Sequence, residues 1–450
     1  MAKAAQLTSN FVLQKCNTSS IYLEDRISRL SDDILVIILS RLTMREAART
    51  SVLSSRWKNL WIYMTGSLDF DASKVLWEVQ KRVCGKFLKD ERSKYVSWVN
   101  RVLSSHKGTT IEEFRVSFDL DIYYGIYIDA WINFAIKKRV QRLELNLKRL
   151  YYSQRQGRYF FPSNSHVLSS LKNLTSLRLN CLDVSGEVLE YLLSNCPFLQ
   201  ELHVVDSTRV VKLKVSGPSL KLKSLVMVNC YNLECIEISS VNLVSFKYQG
   251  GSSTRILLEN VPHLTDVSYG GCYSDYIIKK FRQFPSYMFQ LEKLSLHLSD
   301  EVLYIFPKFP KLRNLRQLEL TVEAYDKWSL LPCIFLLNAS PFLYRFSLAF
   351  LSRSGPSIGR NTVGNSKKHT LKCIKIVELV AFAGRKPDVE FAEYILEKAI
   401  SLEKMIIDTR YLYSVGTPSE NVEDEKRLAA KKCAEQLHTK RRPGVDLVIL

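Results

Sequence analysis

From residue 106 onward the apolar side chains recur in one frame, apolar-x-x-apolar-x-apolar. It reads Ile111-Phe114-Val116, Val140-Leu143-Leu145, Leu174-Leu177-Leu179, Leu199-Leu202-Val204, Leu222-Leu225-Met227 and Leu243-Phe246-Tyr248. It continues as Leu264-Val267-Tyr269, Leu291-Leu294-Leu296, Leu315-Leu318-Leu320, Leu343-Phe346-Leu348, Leu371-Ile374-Ile376 and Leu402-Met405-Ile407. The frames begin 21 to 34 residues apart, about 26 on average. One triplet means little in a chain that is 46% hydrophobic, but twelve in succession define an internal repeat. The last two apolar positions of each frame are two residues apart, the period of a strand, so each frame predicts a short strand with its apolar residues on one face. Such a unit buries that face only by stacking on its neighbours, which predicts a solenoid of parallel strands around a shared core. Residues alternating with the frame are then expected to line the concave surface: Arg178, His203, Lys247, Lys293, His297, Glu319, Arg345 and Lys375. Between strands, Val188, Leu189, Leu192 and Leu193 predict a helix, whereas Gly250-Gly251-Ser252-Ser253 and Gly270-Gly271 predict loops.

Residues 1–20 are polar and aperiodic and read as a flexible lead. Leu23 to Trp61 then shows helical spacing. Ser31 is placed to cap a first helix, with Asp32 and Asp33 in its positive first turn and Ile34, Leu35, Ile38, Leu39 and Leu42 at helical intervals. Arg45 to Leu53 reads as a second helix with Ala47, Ala48 and Val52 inward; Ser54 or Ser55 would cap a third that carries Trp57, Leu60 and Trp61. Gly66 to Ser73 reads as a connector and Lys74 to Ser105 as helix, with Val96, Val99, Val102 and Leu103 on one face. Ile128, Trp131, Ile132 and Ala135 mark another helix. Beyond a polar gap from Ser352 to Lys368, the order is strand, turn, helix, strand. The expected fold class is α/β: a three-helix N-terminal module (residues 21–66), a helical connector (67–105), an irregular solenoid (106–365) and a C-terminal cap (366–450).

The N-terminal stretch resembles an F-box. The matching elements are Asp25-Arg26-Ile27-Ser28, Leu30, Asp32-Asp33-Ile34-Leu35, Ile38-Leu39-Ser40-Arg41-Leu42, Ala47, Thr50-Ser51-Val52-Leu53-Ser54 and Arg56-Trp57-Lys58-Asn59-Leu60-Trp61. Ser31 and Thr43 stand where that family usually has proline. The repeat frame resembles the core of a leucine-rich repeat. The C-terminal stretch resembles the FBD domain of plant F-box proteins through Leu371-Lys372-x-Ile374-Lys375-Ile376, Gly384, Tyr394-Ile395-Leu396-Glu397 and Leu402-Glu403-Lys404-Met405. The ending, Arg441-Arg442-Pro443 to Val448-Ile449-Leu450, resembles that family's closing strand. The resemblance implies the substrate-recognition subunit of a Skp-cullin-F-box type ubiquitin ligase. Its N-terminal helices would bind a Skp-type adaptor, and through it a cullin, while the solenoid binds a protein target. The apolar candidates for adaptor contact, and for the module's own core, are Leu30, Ile34, Leu35, Ile38, Leu39, Leu42, Val52, Leu53, Trp57, Leu60 and Trp61, with Trp57 the expected principal anchor.

Charge and cysteine content adjust this picture only slightly. The formal net charge is +19, which suits an acidic partner. The excess is dispersed, however: residues 366–450 hold 16 basic and 13 acidic side chains. The basic runs Lys137-Lys138-Arg139, Lys148-Arg149 and Lys440-Arg441-Arg442 have no RNA-binding aromatic signature beside them, so nucleic acid is not the expected partner. A nucleic-acid-associated protein, or a scaffold that recruits nothing for degradation, stays open on the same repeats. The ten cysteines form no Cys-x-x-Cys pair, and reduced thiols in the cytoplasm or nucleus are expected, most of them as small core residues. The longest uncharged run, Trp328 to Tyr344, is 17 residues broken by Pro332, Asn338 and Pro341, so no membrane span is expected. No nucleophile elbow, phosphate loop or zinc motif occurs, and the seven histidines lie far apart. Neither enzyme activity nor a metal or other cofactor is expected.

Overall fold

Side chains that alternate between buried and exposed every second residue make the repeat frames into strands. A computed structural model of the chain describes residue 27 and residues 29–450, apart from 82–84, 149–156, 218–219, 281–284, 304–308, 326–329, 354–369 and 413–423. The flexible lead, most of the polar gap after Ser352, and Arg149 of the basic runs lie outside the described residues. The helices are α1 (Asp32–Leu39), α2 (Met44–Arg49), α3 (Ser73–Lys81), α4 (Gly85–Ser105), α5 (Gly125–Lys137), α6 (Ser165–Ser170), α7 (Gly186–Asn195), α8 (Cys272–Lys279), α9 (Asp300–Leu303), α10 (Ile334–Ala339), α11 (Lys386–Lys398) and α12 (Glu425–Gln436). The strands are β1 (Ser67–Asp71), β2 (Glu113–Ser117), β3 (Arg142–Asn146), β4 (Ser176–Asn180), β5 (Glu201–Val205), β6 (Lys212–Ser216), β7 (Ser224–Val228), β8 (Cys235–Ser239) and β9 (Ser245–Gln249). There follow β10 (Arg255–Glu259), β11 (Asp266–Gly270), β12 (Lys293–Ser299), β13 (Gln317–Tyr325), β14 (Arg345–Arg353), β15 (Ile376–Val380), β16 (Lys404–Asp408) and β17 (Asp446–Ile449).

Among the described residues, fourteen strands form one parallel sheet in chain order, and β6, β8 and β10 form a second, three-stranded sheet. Frame residues pair with frame residues across every step, as in Leu177↔Leu202, Leu202↔Leu225 and Phe346↔Val377. They are almost fully buried and belong to one continuous core. Strands in a sheet lie about 4.8 Å apart while packed helices need about 8–10 Å, so the strand side is the concave one. Each turn out of β4, β5 and β7 begins with a left-handed residue, Cys181, Asp206 and Asn229, at the same position in its repeat.

Three expectations are corrected. The sheet begins at β1, inside the stretch read as connector, and it runs past residues 106 and 366 without interruption. The signal was present in Leu68 and Phe70, 1% and 0% exposed, but the frame's first apolar position is absent there. The penultimate frame is Ile374-Val377-Leu379, three residues later than expected: Val377 and Leu379 are buried opposite Phe346 and Leu348, while Ile376 faces outward. A run of alternating apolar residues from Leu371 to Leu379 fits either register, and packing chose. Finally, three of the linking segments are strands, because Leu213-x-Val215 and Ile236-x-Ile238 also alternate and find each other across the repeats.

The N-terminal module has its own small core of Leu35, Leu39, Ala47, Trp57, Leu60 and Met64. Ser31 occupies the N-cap position of α1 without a side-chain cap bond. Thr43 caps α2 in a reciprocal box: Glu46 N donates to its hydroxyl (3.3 Å) and Thr43 N donates to the Glu46 carboxylate (3.0 Å). That backbone bond holds the Glu46 carboxyl below its ordinary value. The expected second helix ends earlier, at Arg49, and passes into a 3-10 turn, Thr50–Val52; Ala48 and Val52 face out, not in. The third segment is likewise a 3-10 helix, Trp57–Tyr63.

A tight seam joins this module to the solenoid. Met44 packs into the solenoid core. Lys107 N and Gly108 N donate to the Ile62 carbonyl (2.7 and 3.1 Å), and Glu112 N to that of Thr65 (2.9 Å). Ser40 Oγ accepts from Thr65 N (2.9 Å). Gly66 lies so close that a Cβ there would overlap the Ser40 carbonyl oxygen. The buried His106 ring meets the Met64 carbonyl through Nε2 (2.9 Å), and burial lowers its pKa. Behind the seam, Arg92 on α4 is buried with Asp119 (2.5 Å) and Asp121 (2.8 Å), a triad that fixes the helix to the turn after β2.

Gly66→Ala is expected to cost about 1–3 kcal/mol of overpacking strain, seen as a lowered melting temperature of the full chain. His106 is held neutral when folded, so its contribution is present above its unfolded value near 6.5 and is lost as pH falls below it. His106→Gln is expected to flatten the pH dependence of the melting temperature between about pH 7 and 5.

Candidate functional site

Two surfaces qualify: the outer side of the N-terminal module and the concave face of the sheet. On α1, residues 35 and 39 point inward. Residues 34, 37 and 38 lie on the opposite side and are 44%, 61% and 40% exposed. Three branched aliphatic side chains on the outside of one short helix are not needed by the module's own core. After α2, Val52 and Leu53 are 87% and 64% exposed. Arg56, three residues on, donates to Asp32 Oδ1 (2.7 Å) and to the Leu30 carbonyl, which draws this segment against the start of α1.

The eleven apolar candidates therefore divide. Ile34, Ile38, Val52 and Leu53 are exposed; Leu30, Leu42 and Trp61 are half-buried; Leu35, Leu39, Trp57 and Leu60 are interior. Trp57 is corrected from surface anchor to core residue: at 6% exposure it fills the space between the helices, where one large aromatic supplies much of a small core. Ile37, and Ile27 at 56% exposure, were missed. Ile37 follows Ile34 by three and precedes Ile38 by one, a spacing that marked it as part of the same face.

The concave face carries ion pairs between neighbouring strands. Arg115 on β2 lies among Asp69 (3.5 Å), Asp71 (3.3 Å) and Glu144 (3.2 Å). Of the expected target-binding residues, Arg178 pairs with Glu201 (3.0 Å), Lys293 with Glu319 (2.9 Å), His297 with Glu323 (2.9 Å) and Arg345 with Glu378 (2.9 Å). Lys247 is exposed on β9. His203 is half-buried, and its pKa is lowered by burial and then by Arg178. Lys375 is corrected: because the frame is shifted, it precedes β15 and pairs with Glu403 (2.7 Å) instead of alternating with the frame. The basic excess read from the sequence is thus largely neutralised on this face by carboxylates one strand away.

Chemistry beyond contact is sparse. Among the described residues, no group of three or more His, Cys, Asp or Glu side chains is placed to hold a metal ion. Four of the eight described cysteines are buried: Cys196, Cys230, Cys235 and Cys333. Burial pushes the Cys196 and Cys230 thiols up to about 11. Among the described residues no helix is long and apolar enough to cross a membrane.

The molecule is thus a repeat solenoid with a small helical module seated at its N-terminal end. Residues 162–441 match the family described as "At1g61320/AtMIF1, LRR domain", and residues 27–64 match the F-box domain. The chain belongs to this leucine-rich-repeat family and carries an F-box domain at its N-terminal end. It is similar to the F-box/FBD/LRR-repeat protein At4g26340 of that plant, 25% identical over 84% of this chain and 91% of the relative. It is also similar to the F-box/FBD/LRR-repeat protein At5g22660, 31% identical over 45% of this chain and 46% of the relative. The FBD-associated F-box protein At4g10400 is 27% identical over 86% of this chain and 93% of its own length.

If inter-strand pairing, not charge count, governs the concave face, the triple variant Glu201→Gln, Glu319→Gln, Glu378→Gln is expected to keep its fold. Each exposed pair is worth only about 0.2–1 kcal/mol. Heparin retention of the triple variant is expected to rise above wild type, because the freed cations can release counterions from a polyanion; unchanged retention would count against the pairing.

Proposed function

We propose that the chain is the substrate-recognition subunit of a cullin-based ubiquitin ligase. The exposed side chains of its F-box dock on a Skp-type adaptor, and its solenoid holds a protein target. The observation that carries the reading is the aliphatic outer face of α1, Ile34, Ile37 and Ile38, opposite a fully buried inner face. The F-box supplies the docking elements, and the seam at Gly66 and His106 fixes their position relative to the repeats. Function then follows from proximity: a target on the solenoid is held at high effective concentration near the ubiquitin-charged enzyme, and transfer occurs on other subunits. Such a complex works in the cytoplasm or nucleus, where reduced thiols fit.

The double variant Ile34→Ala, Ile38→Ala is expected to weaken capture of the adaptor in pull-down by about tenfold or more, as for other interface anchors. Its melting temperature is expected to stay near wild type, since neither side chain is buried. Trp57→Ala, by contrast, is expected to lose the adaptor together with the fold of the module. Undiminished capture by the double variant would refute the docking.

A further inference from the structure

The second sheet, in the order β10-β8-β6, has two edges that differ. At β6 the edge is closed by α7: Lys214 N donates to the Glu190 carboxylate (2.7 Å), and Gly186 lies against the Lys212 carbonyl. At β10 it is open. Among the described residues no strand pairs with its far side. The inward residues of the other two strands, Leu213, Val215, Ile236 and Ile238, are at most 2% exposed. At the same positions of β10, Ile256 and Leu258 are only half-buried. Leu257, on the outer face, is 38% exposed.

The backbone of this edge is set for pairing. Arg255 N donates to the Glu234 carbonyl (2.8 Å), so in the parallel ladder Arg255, Leu257 and Glu259 turn their amides and carbonyls toward β8. Those of Ile256 and Leu258 point the other way, and among the described residues no backbone bond outside the sheet takes them. A row of open N–H and C=O groups is a template for another strand. Both ends of β10 are pinned: Thr254 Oγ1 donates to the Leu233 carbonyl (2.7 Å), and the Asn260 side-chain amide donates to Ser239 Oγ (3.2 Å). The strand is thus held extended before any partner arrives. Its outer face carries Arg255, Leu257 and Glu259 in turn. The Arg255 side chain is 67% exposed and reaches Glu237 (3.6 Å) one strand in, while Lys214 lies opposite Glu237 on β6.

We propose that β10 is a self-pairing edge, through which two copies of the chain join about a two-fold axis at Leu257. The run Arg255-Ile256-Leu257-Leu258-Glu259 is complementary to itself when reversed. Antiparallel pairing centred on Leu257 places Ile256 opposite the second copy's Leu258, and Leu258 opposite its Ile256. These are the residues whose backbone groups face out, so each such pair exchanges both of its bonds. The same register sets Arg255 opposite the second copy's Glu259, and Glu259 opposite its Arg255, on the outer face. A shift of one residue sets outward backbone against inward backbone and separates the charges. The contact is small beside a standard interface of about 1,600 Å², so the dimer forms as concentration rises. It joins two N-terminal modules and two concave faces in one assembly, which raises avidity for any partner that is itself repeated. The inference stands apart from the ligase reading, since it uses neither of those surfaces.

Sedimentation velocity of the full chain over a series of concentrations reads the dimer directly. Wild type is expected to pass from monomer to dimer as concentration rises. Arg255→Glu and Glu259→Arg each set like charges opposite one another at both ends of the paired strands. Each is expected to raise the dissociation constant about tenfold or more, with a melting temperature near wild type. Mixed in equal amounts, the two variants are expected to recover wild-type association, because each strand then meets opposite charges. The double variant carrying both changes is expected to recover it alone. Amide hydrogen exchange at Ile256 and Leu258 is expected to slow as the dimer forms. A wild type that stays monomeric, charge variants that dimerise as well as wild type, or a mixture that fails to recover would overturn the proposal. So would slow exchange at these two amides in a chain that sediments as a monomer, because the edge would then be covered within one copy. A monomer that instead binds a labelled alternating valine-threonine peptide along β10 would overturn it too, because the edge would then serve another protein.

Discussion

Most strands in this solenoid are five residues long, and two inward side chains on such a strand cannot stabilise it alone. Each becomes buried only when the strands before and after it are in register, so Leu177, Leu202 and Leu225 shield one another in turn. This mutual burial is the constraint on which the rest of the molecule depends. It makes the sheet parallel and continuous, and it sets every outward side chain opposite another one strand away. The ion pairs of the concave face follow from that spacing, as do the left-handed residues that open the turns after β4, β5 and β7.

The same constraint explains how the F-box module is held. A core of six residues is too small to specify a position in space. The module is instead fastened to the end of the stack, where the loop before β2 and the first residue of β2 supply backbone partners for Ile62, Thr65 and Gly66. Met44 crosses into the larger core, and Gly66 permits the close approach. Ile34, Ile37 and Ile38 of α1 stay exposed. Core residues and exposed aliphatic residues are thus divided between two sides of one eight-residue helix.

Neutralisation also changes what the net charge means for the surface. A formal charge of +19 suggests an open basic surface. On the concave face, however, cations and carboxylates alternate across the strands and satisfy each other. In the turns after β2 and β4, carboxylates are drawn into hydrogen bonds that shape the chain: Asp121 Oδ1 accepts from Tyr123 N and Asp183 Oδ1 from Thr208 N.

Much of this was legible in the chain itself. Frame spacing identified eleven inner strands, because an apolar pair two residues apart has only one way to be buried in a stacked repeat; the helical stretches at Val96–Leu103 and Ile128–Ala135 were equally clear. Periodicity could not choose between overlapping registers near Leu371, nor recognise β1 without its leading apolar residue, nor foresee that Leu213 and Ile236 belong to strands of a second sheet. It also left the F-box candidates undivided, since Trp57 and Val52 are both apolar and only packing decides that one is interior and the other exposed. Pairing of Arg178 with Glu201, and the placing of the Arg209 guanidinium over the Phe160 ring, join residues tens of positions apart. Those juxtapositions belong to the tertiary structure alone, because stacking of repeats, not local sequence, sets the distance between them.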